Sequence, residues 1–185
     1  QQHQGLEIDS MTALSENLMV GLSAVKIDAE YKSFVNGSCD TLNIGETFAD
    51  LACDTNADGE SLGVRDLSGE TPAGVHDWSI NANATYSFNM NDATSGFLRL
   101  EYVFETEVPL VDNVPVELAS RSSKNVNLSL GLNHEPSGLE LMLWGRNLTD
   151  HESLISAFPT TAAPGSFSGY PNPPRTYGLT LRGNF

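Results

Sequence analysis

Apolar and polar residues alternate with a period of two along much of this chain, and helical spacing is hard to find anywhere. The clearest run is 78–88, Trp-Ser-Ile-Asn-Ala-Asn-Ala-Thr-Tyr-Ser-Phe. Trp78, Ile80, Ala82, Ala84, Tyr86 and Phe88 fall on one face, and Ser79, Asn81, Asn83, Thr85 and Ser87 on the other. A solvated strand of a soluble protein usually shows Lys, Glu or Arg on its wet face; here that face carries only small neutral groups. Aromatics close both ends of the apolar face. The pattern is that of a strand with lipid on one side and a wet lumen on the other, girdled by aromatics at both interfaces.

Six more segments read as strands, at 5–13, 18–34, 97–106, 124–133, 139–148 and 175–185. Leu98, Leu100, Tyr102 and Phe104 oppose Arg99, Glu101 and Glu105; Val126, Leu128, Leu130 and Leu132 oppose Asn125, Asn127, Ser129 and Asn133. Leu139, Leu141 and Leu143 oppose Met142, Trp144 and Arg146. The last segment sets Tyr177, Leu179, Leu181 and Phe185 against Thr176, Thr180, Arg182 and Asn184. Residues 5–13 alternate weakly, and the faces of 18–34 are open to either assignment. Each segment is close to the 9–11 residues that a tilted transmembrane strand needs.

Connection lengths alternate as well. Short ones sit at Leu14–Asn17, Asn89–Ser95 and His134–Gly138, and long ones run over 35–74, 107–122 and 149–174. Tight periplasmic turns and long extracellular loops are the layout of an outer-membrane barrel. The fold class expected is therefore all-β, an antiparallel transmembrane β-barrel segment of about seven strands. Seven up-and-down strands cannot close antiparallel on themselves, and open edges in lipid cost several kcal/mol per unsatisfied backbone group. The expectation is a C-terminal portion of a larger barrel, with further strands before Gln1.

Composition narrows the alternatives. The 185 residues hold 24 acids against nine bases, a formal net charge of −15, with 39% hydrophobic and 18% charged residues. No basic stripe exists to neutralise phosphates, which excludes a nucleic-acid partner. No apolar run is long enough for a spanning helix, and no basic-then-apolar leader precedes the first strand, so Gln1 reads as the start of a mature chain or of a fragment. Residues 35–77 hold nine acids against Arg65 alone, so one external loop carries −8 of the −15. Such a loop attracts cationic or metal-bearing ligands, bridges divalent ions to lipopolysaccharide, or simply keeps the loop solvated.

Cys39 and Cys53 lie in that loop with thirteen residues between them. In an oxidising compartment they are expected to form a disulfide, which staples the loop by about 3 kcal/mol. Asp54-Thr-Asn-Ala-Asp-Gly59 matches the opening of a calcium loop, with Asp54, Asn56 and Asp58 as oxygen ligands. The match fails at the twelfth position, where Arg65 stands in place of a bidentate Glu; the other reading is a solvated acidic turn. No other cofactor is implied. In the loop 149–174, Phe158, Phe167 and Tyr170 stand among five prolines, placed either to contact a ligand at the mouth or to pack on neighbouring loops. His3, His76, His134 and His151 have no metal-ligand spacing, and no nucleophile elbow, P-loop or dinucleotide fingerprint occurs, so the chain is expected not to be an enzyme.

Two motifs close the chain, Trp144-Gly-Arg-Asn-Leu-Thr-Asp150 and Pro174-Arg-Thr-Tyr-Gly-Leu-Thr-Leu-Arg-Gly-Asn-Phe185. Upstream stand Gly5-Leu-Glu-Ile-Asp9, Asp28-Ala-Glu-Tyr31, Asp66-Leu-Ser-Gly69 and Trp78-Ser-Ile-Asn81. In this order they resemble the C-terminal part of TonB-dependent outer-membrane receptors, the terminal pair being the more specific. The resemblance implies a barrel of about 22 strands, these being roughly strands 16 to 22. It also implies an N-terminal plug and a TonB box, neither present in these residues, coupling to the TonB complex, and active uptake of a scarce nutrient such as a ferric siderophore. Tyr177, Leu179, Leu181 and Phe185 then read as a signal to the barrel-assembly machinery, although any lipid-facing strand shows the same alternation. The location expected is the bacterial outer membrane, among its lipid and lipopolysaccharide, with the small-molecule ligand unknown. The runner-up is a passive structural or adhesive barrel without a plug; a third reading, a soluble β-sandwich, needs these faces buried against a second sheet.

Overall fold

The computed structural model describes residues 1–38, 53–60, 62–112, 119–160 and 166–183. Among these, seven long strands form one antiparallel sheet: β1 (Gln2–Ala13), β2 (Leu18–Glu30), β5 (Trp78–Asn91), β6 (Thr94–Pro109), β7 (Ser120–His134), β8 (Leu139–Arg146) and β11 (Thr176–Gly183). They lie side by side in chain order, with β1 and β11 at the two open edges. Two small hairpins sit in the connections, β3 (Gly37–Ser38) with β4 (Val64–Arg65), and β9 (Leu154–Pro159) with β10 (Phe167–Pro171).

Each of the seven expected segments overlaps one of the long strands, with changed ends. The segment 18–34 stops pairing at Glu30, because Tyr31 turns its N–H away to the carbonyl of Glu70. The loop assigned to 107–122 is shorter than expected: the β6–β7 ladder runs on through Val108↔Arg121 and Pro109↔Ser120, absorbing a register shift after Glu105. The loop assigned to 149–174 is a folded hairpin over much of its length. Strand 175–185 pairs over Thr176–Gly183, and Phe185 lies outside the described residues.

Register decides what the alternation amounts to. One rung runs Val20, Ala84, Leu100, Leu128, Gly145, Tyr177, and the next runs Leu18, Tyr86, Leu98, Leu130, Leu143, Leu179. Every strand from β2 to β11 thus turns its apolar set to the same side, and Leu6 and Ile8 of β1 join it opposite Lys26 and Ala24. The faces of β2 are settled by its partners, with Leu18, Val20, Leu22 and Ala24 on the apolar side. The other side presents Gly21, Asn83, Glu101 and Asn127 on one rung. Nothing among the described residues covers the apolar side: Tyr86, Leu98, Leu100, Leu128, Leu143 and Leu179 are all exposed.

The buried apolar side chains among the described residues are Ala29, Tyr31, Leu67, Val108 and Ala119, and none lies at mid-sheet. They gather at the end carrying the long connections, where Leu67 fills the space beside Gly37 and the Tyr31 ring packs tilted against Phe34, centroids 4.8 Å apart.

Close packing within the sheet comes from aromatic rings lying over glycines on neighbouring strands: Phe88 over Gly96, Phe97 over Gly131 and Trp144 over Gly178. Only the missing Cβ lets each ring lie flat, and Trp144 also donates its indole N–H to Thr180 Oγ1 at 3.2 Å. Gly178→Ala puts a methyl where the Trp144 ring lies, so the ring must leave. The expected result is a lower thermal midpoint, equivalent to about 1–3 kcal/mol, with an altered tryptophan spectrum. An unchanged midpoint would show that the ring has room to spare.

Candidate functional site

The polar side of the sheet is knit by charge. Glu101 Oε1 accepts from Arg99 at 2.7 Å, and its other oxygen lies 3.5 Å from Asn127 Nδ2 and 3.6 Å from Arg146. Nearer the loops, Glu105 lies 3.2 Å from Arg121 and 3.7 Å from His76. Nearer the turns, Arg182 lies 3.6 Å from Glu140. A groove of about 470 Å³ runs beside Arg99 and Glu101, lined also by Asp9, Ser23, Asn81 and Asn83. Its chemistry is hydrogen bonding with compensated charge, suited to holding a polar surface or a hydrated solute. His76 directs Nδ1 to the carbonyl of Thr106 at 2.5 Å and its other nitrogen toward Glu105, so its partners are on β6 and not the adjacent Asp77.

At the loop end two clasps order the chain. In the first, Asp112 is the hub. Its carboxylate accepts the Tyr31 hydroxyl at 2.9 Å and the Ala73 N–H at 2.6 Å, and its carbonyl lies 3.3 Å from Arg65, which also pairs with Glu70 at 2.6 Å. Three chain segments far apart in sequence are thereby tied together. Burial, and then the Asp112 carboxylate, push the Tyr31 phenol above its ordinary value.

The second clasp explains the Arg-Asn-Leu-Thr-Asp motif. Asn147 and Asp150 both have positive φ, 48° and 54°, a conformation that Asn and Asp tolerate better than most residues. Asn147 is 6% exposed, and its side-chain amide is fully used. Nδ2 donates to the carbonyls of His151 and Pro173, while Oδ1 accepts from the His151 N–H and the Thr149 hydroxyl. Its N–H donates to Asn127 Oδ1 at 3.0 Å. Asp150 then takes Arg175 twice, through the backbone N–H at 3.2 Å and the guanidinium at 3.1 Å. The two terminal motifs are therefore the two halves of one structure.

The other candidate residues are placed as follows. Phe158 and Tyr170 share a face of the β9–β10 hairpin, 5.8 Å apart and exposed; Phe167 lies on the hairpin's other face. Tyr177, Leu179 and Leu181 stand on the apolar side, exposed. Cys53 is disulfide-bonded, and Cys39 lies outside the described residues, as do Asp40, Glu46 and Asp50 of the acidic loop. In the turn of Asp54, Asn56 and Asp58, Asn56 Oδ1 already accepts the N–H groups of Asp58 and Glu60 at 3.0 and 2.9 Å. No group of three or more metal-binding side chains converges among the described residues. Asp112 was not singled out from the sequence, and nothing in its neighbourhood flags it, because its partners lie 81 and 39 residues away. Asn147 had a local signal, the Asn-x-x-Asp spacing just past a strand.

Asn147→Ala removes the amide donor from the carbonyls of His151, which keeps Asn172 Nδ2 at 2.8 Å, and of Pro173, and it strains the backbone; about 2–4 kcal/mol of local stability is lost. Limited proteolysis within 149–174 should accelerate. Asn147→Gly relieves the φ strain alone, so equal protection in that variant would show that the amide contacts contribute nothing. Raising the pH tests the other clasp. A phenol whose folded value is raised contributes stability that is fully present below about pH 10 and lost as pH climbs through the higher folded value. In an ultraviolet titration Tyr31 should ionise late, and that late step should vanish in Tyr31→Phe. No family model, curated protein or solved structure matches this chain.

Proposed function

We propose that this chain forms part of the wall of a transmembrane β-barrel in a bacterial outer membrane, and that the barrel is a TonB-dependent uptake receptor. The observation that carries the membrane reading is the uncovered apolar side shared by all seven strands. In water such a face demands a second layer, whereas in lipid it is the required surface. No helix among the described residues is long and apolar enough to cross a membrane, so strands are what would cross. The unpaired edges of β1 and β11 need strand partners to close a barrel around the polar side.

The receptor reading rests on the family resemblance, supported by the way its two terminal motifs clasp at the loop end. In this reading the loop-end clasps hold the mouth open in a fixed shape, and external loops capture a scarce nutrient, a ferric siderophore by analogy. The polar face, with its charges compensated within the wall, would meet a plug that TonB-coupled energy displaces.

Single cysteines test the first part. At Ala84, flanked by Val20 and Leu100, a cysteine should react with a membrane-phase reagent and be shielded from a charged aqueous one. At Asn83, flanked by Gly21 and Glu101, the order should reverse. Aqueous labelling at both positions would instead support a soluble protein. Deleting the gene tests the second part. Loss of one TonB-dependent uptake activity is expected, and full retention of all of them would favour a passive barrel.

A further inference from the structure

The charges of the polar side are divided unevenly between its strands. Glu101 is shared by two guanidinia, Arg99 at 2.7 Å and Arg146 at 3.6 Å, whose side chains are 49% and 55% exposed. Nearer the loops Arg121 has Glu105, and nearer the turns Arg182 has Glu140. The middle of β6–β8 therefore keeps one positive charge in excess among the described residues. The edge strand shows the opposite. Asp9 and Glu7 of β1 face the polar side, level with Ser23 and Val25, and no Lys or Arg stands on that side of β1, β2 or β5. Neither carboxylate is in an ion pair among the described residues.

The groove of about 470 Å³ joins these two regions, with Asp9 at one end and Arg99, drawn toward Glu101, at the other. Ser23, Asn81 and Asn83 line it between them, and the Asn83 amide lies over Gly21, 2.7 Å from where a Cβ would stand. Asp9, Ser23, Asn81 and Asn83 make no side-chain hydrogen bond among the described residues, so their capacity is unspent. Arg99 is three strands across and four residues along from Asp9, which is level with Ser23, Asn81 and Val103. That is about 20 Å through the sheet; the two side chains reach in and leave roughly 10 Å, the span of an extended tripeptide.

We propose that this groove binds a short zwitterionic peptide of about three residues, its ammonium on Asp9, its carboxylate on Arg99 and its amides on Asn81 and Asn83. The proposal rests on the reading of the polar side as the lumen of an uptake barrel, and it names a class of solute for that lumen. Primary amides suit peptide groups because each offers both N–H donors and a carbonyl acceptor. The opposite charges at the two ends admit one orientation, since the reverse sets like charges together. A neutral sugar would engage the amides and leave both end charges unanswered.

The full-length protein, reconstituted in bilayers, is titrated calorimetrically with trialanine, N-acetyl-trialanine and trialanine amide. Trialanine should bind about five-fold more tightly than either capped form, as one exposed ion pair supplies, and added salt should shrink the preference. Asp9→Asn should erase the preference over the acetylated peptide and keep that over the amide. Arg99→Gln should do the reverse, and Arg99→Lys should keep both. Free alanine, whose two charges are too close to span the groove, should bind more weakly than trialanine. Equal affinity for the three peptides, or no heat from trialanine at millimolar concentration, would overturn the proposal. So would either variant weakening all three peptides alike, because the residue would then act only through the fold. Failure of the peptides with the Ala84 and Asn83 labelling pattern intact would sink this proposal alone; aqueous labelling at both positions would sink the barrel beneath it.

Discussion

Antiparallel hydrogen bonding with one consistent register is the constraint on which everything else in this molecule depends. Side chains alternate strictly along each strand, so a slip of one residue would turn a strand's apolar set to the opposite side. Across the six strand pairs that does not happen: Ile8 is level with Ala24, Leu18 with Tyr86, Tyr86 with Leu98, Leu98 with Leu130, Leu130 with Leu143 and Leu143 with Leu179. Bulges are confined to the ends, between Asn89 and Asn91 and between Glu105 and Val108, where they bend the sheet margin without inverting the middle. Rings over Gly96, Gly131 and Gly178 fit only in this alignment, which ties the packing to the register.

The middle of the sheet buries almost no side chain, and what little is buried lies at the loop end of the strands and in the connections. This inverts the usual arrangement, in which strands surround a core and loops lie on its surface. Tyr31, Leu67, Val108 and Ala119 are the buried apolar residues of that end, beside the polar clasps. Asp112 joins residues 31 and 73 to the β6–β7 connection, while Asn147 joins the β8 end to the entry of β11. Both hubs are short polar side chains with every available oxygen or amide hydrogen aimed at backbone or at a paired group. That is how a segment without a large core can hold a defined shape.

The polar side obeys a different economy. Its charges on β6 to β8 are few and are paired, Glu101 with Arg99 on its own strand and with Arg146 two strands away, and Glu105 with Arg121 and His76. Small neutral side chains such as Asn81, Asn83 and Ser129 fill the remaining positions. In the proposed barrel this surface would offer hydrogen bonds with little net field, while the strongly acidic stretch of the chain lies in the first long connection.

Strand existence and spacing were legible in the sequence because a period of two survives any ambiguity at the ends, as in 78–88 and 124–133. The alternation of short and long connections was legible for the same reason, since Gly, Asn and Pro mark where the pattern breaks. The faces of 18–34 were not legible, because Met19, Val25 and Ile27 compete with Leu18, Val20 and Leu22, and only the partner strands choose between them. Nor was Asp112, whose role depends on two segments that reach it through the fold. The hairpin inside 149–174 was hidden by its prolines; Pro159 and Pro171 stand at the strand ends, and the ladder shifts register only at Pro171. The alternation, the punctuation and the two motifs are written in the order of residues, because neighbours along the chain carry them. The tertiary structure alone decided that all seven apolar sets share one uncovered side, because that depends on the phase between strands, which no single strand encodes.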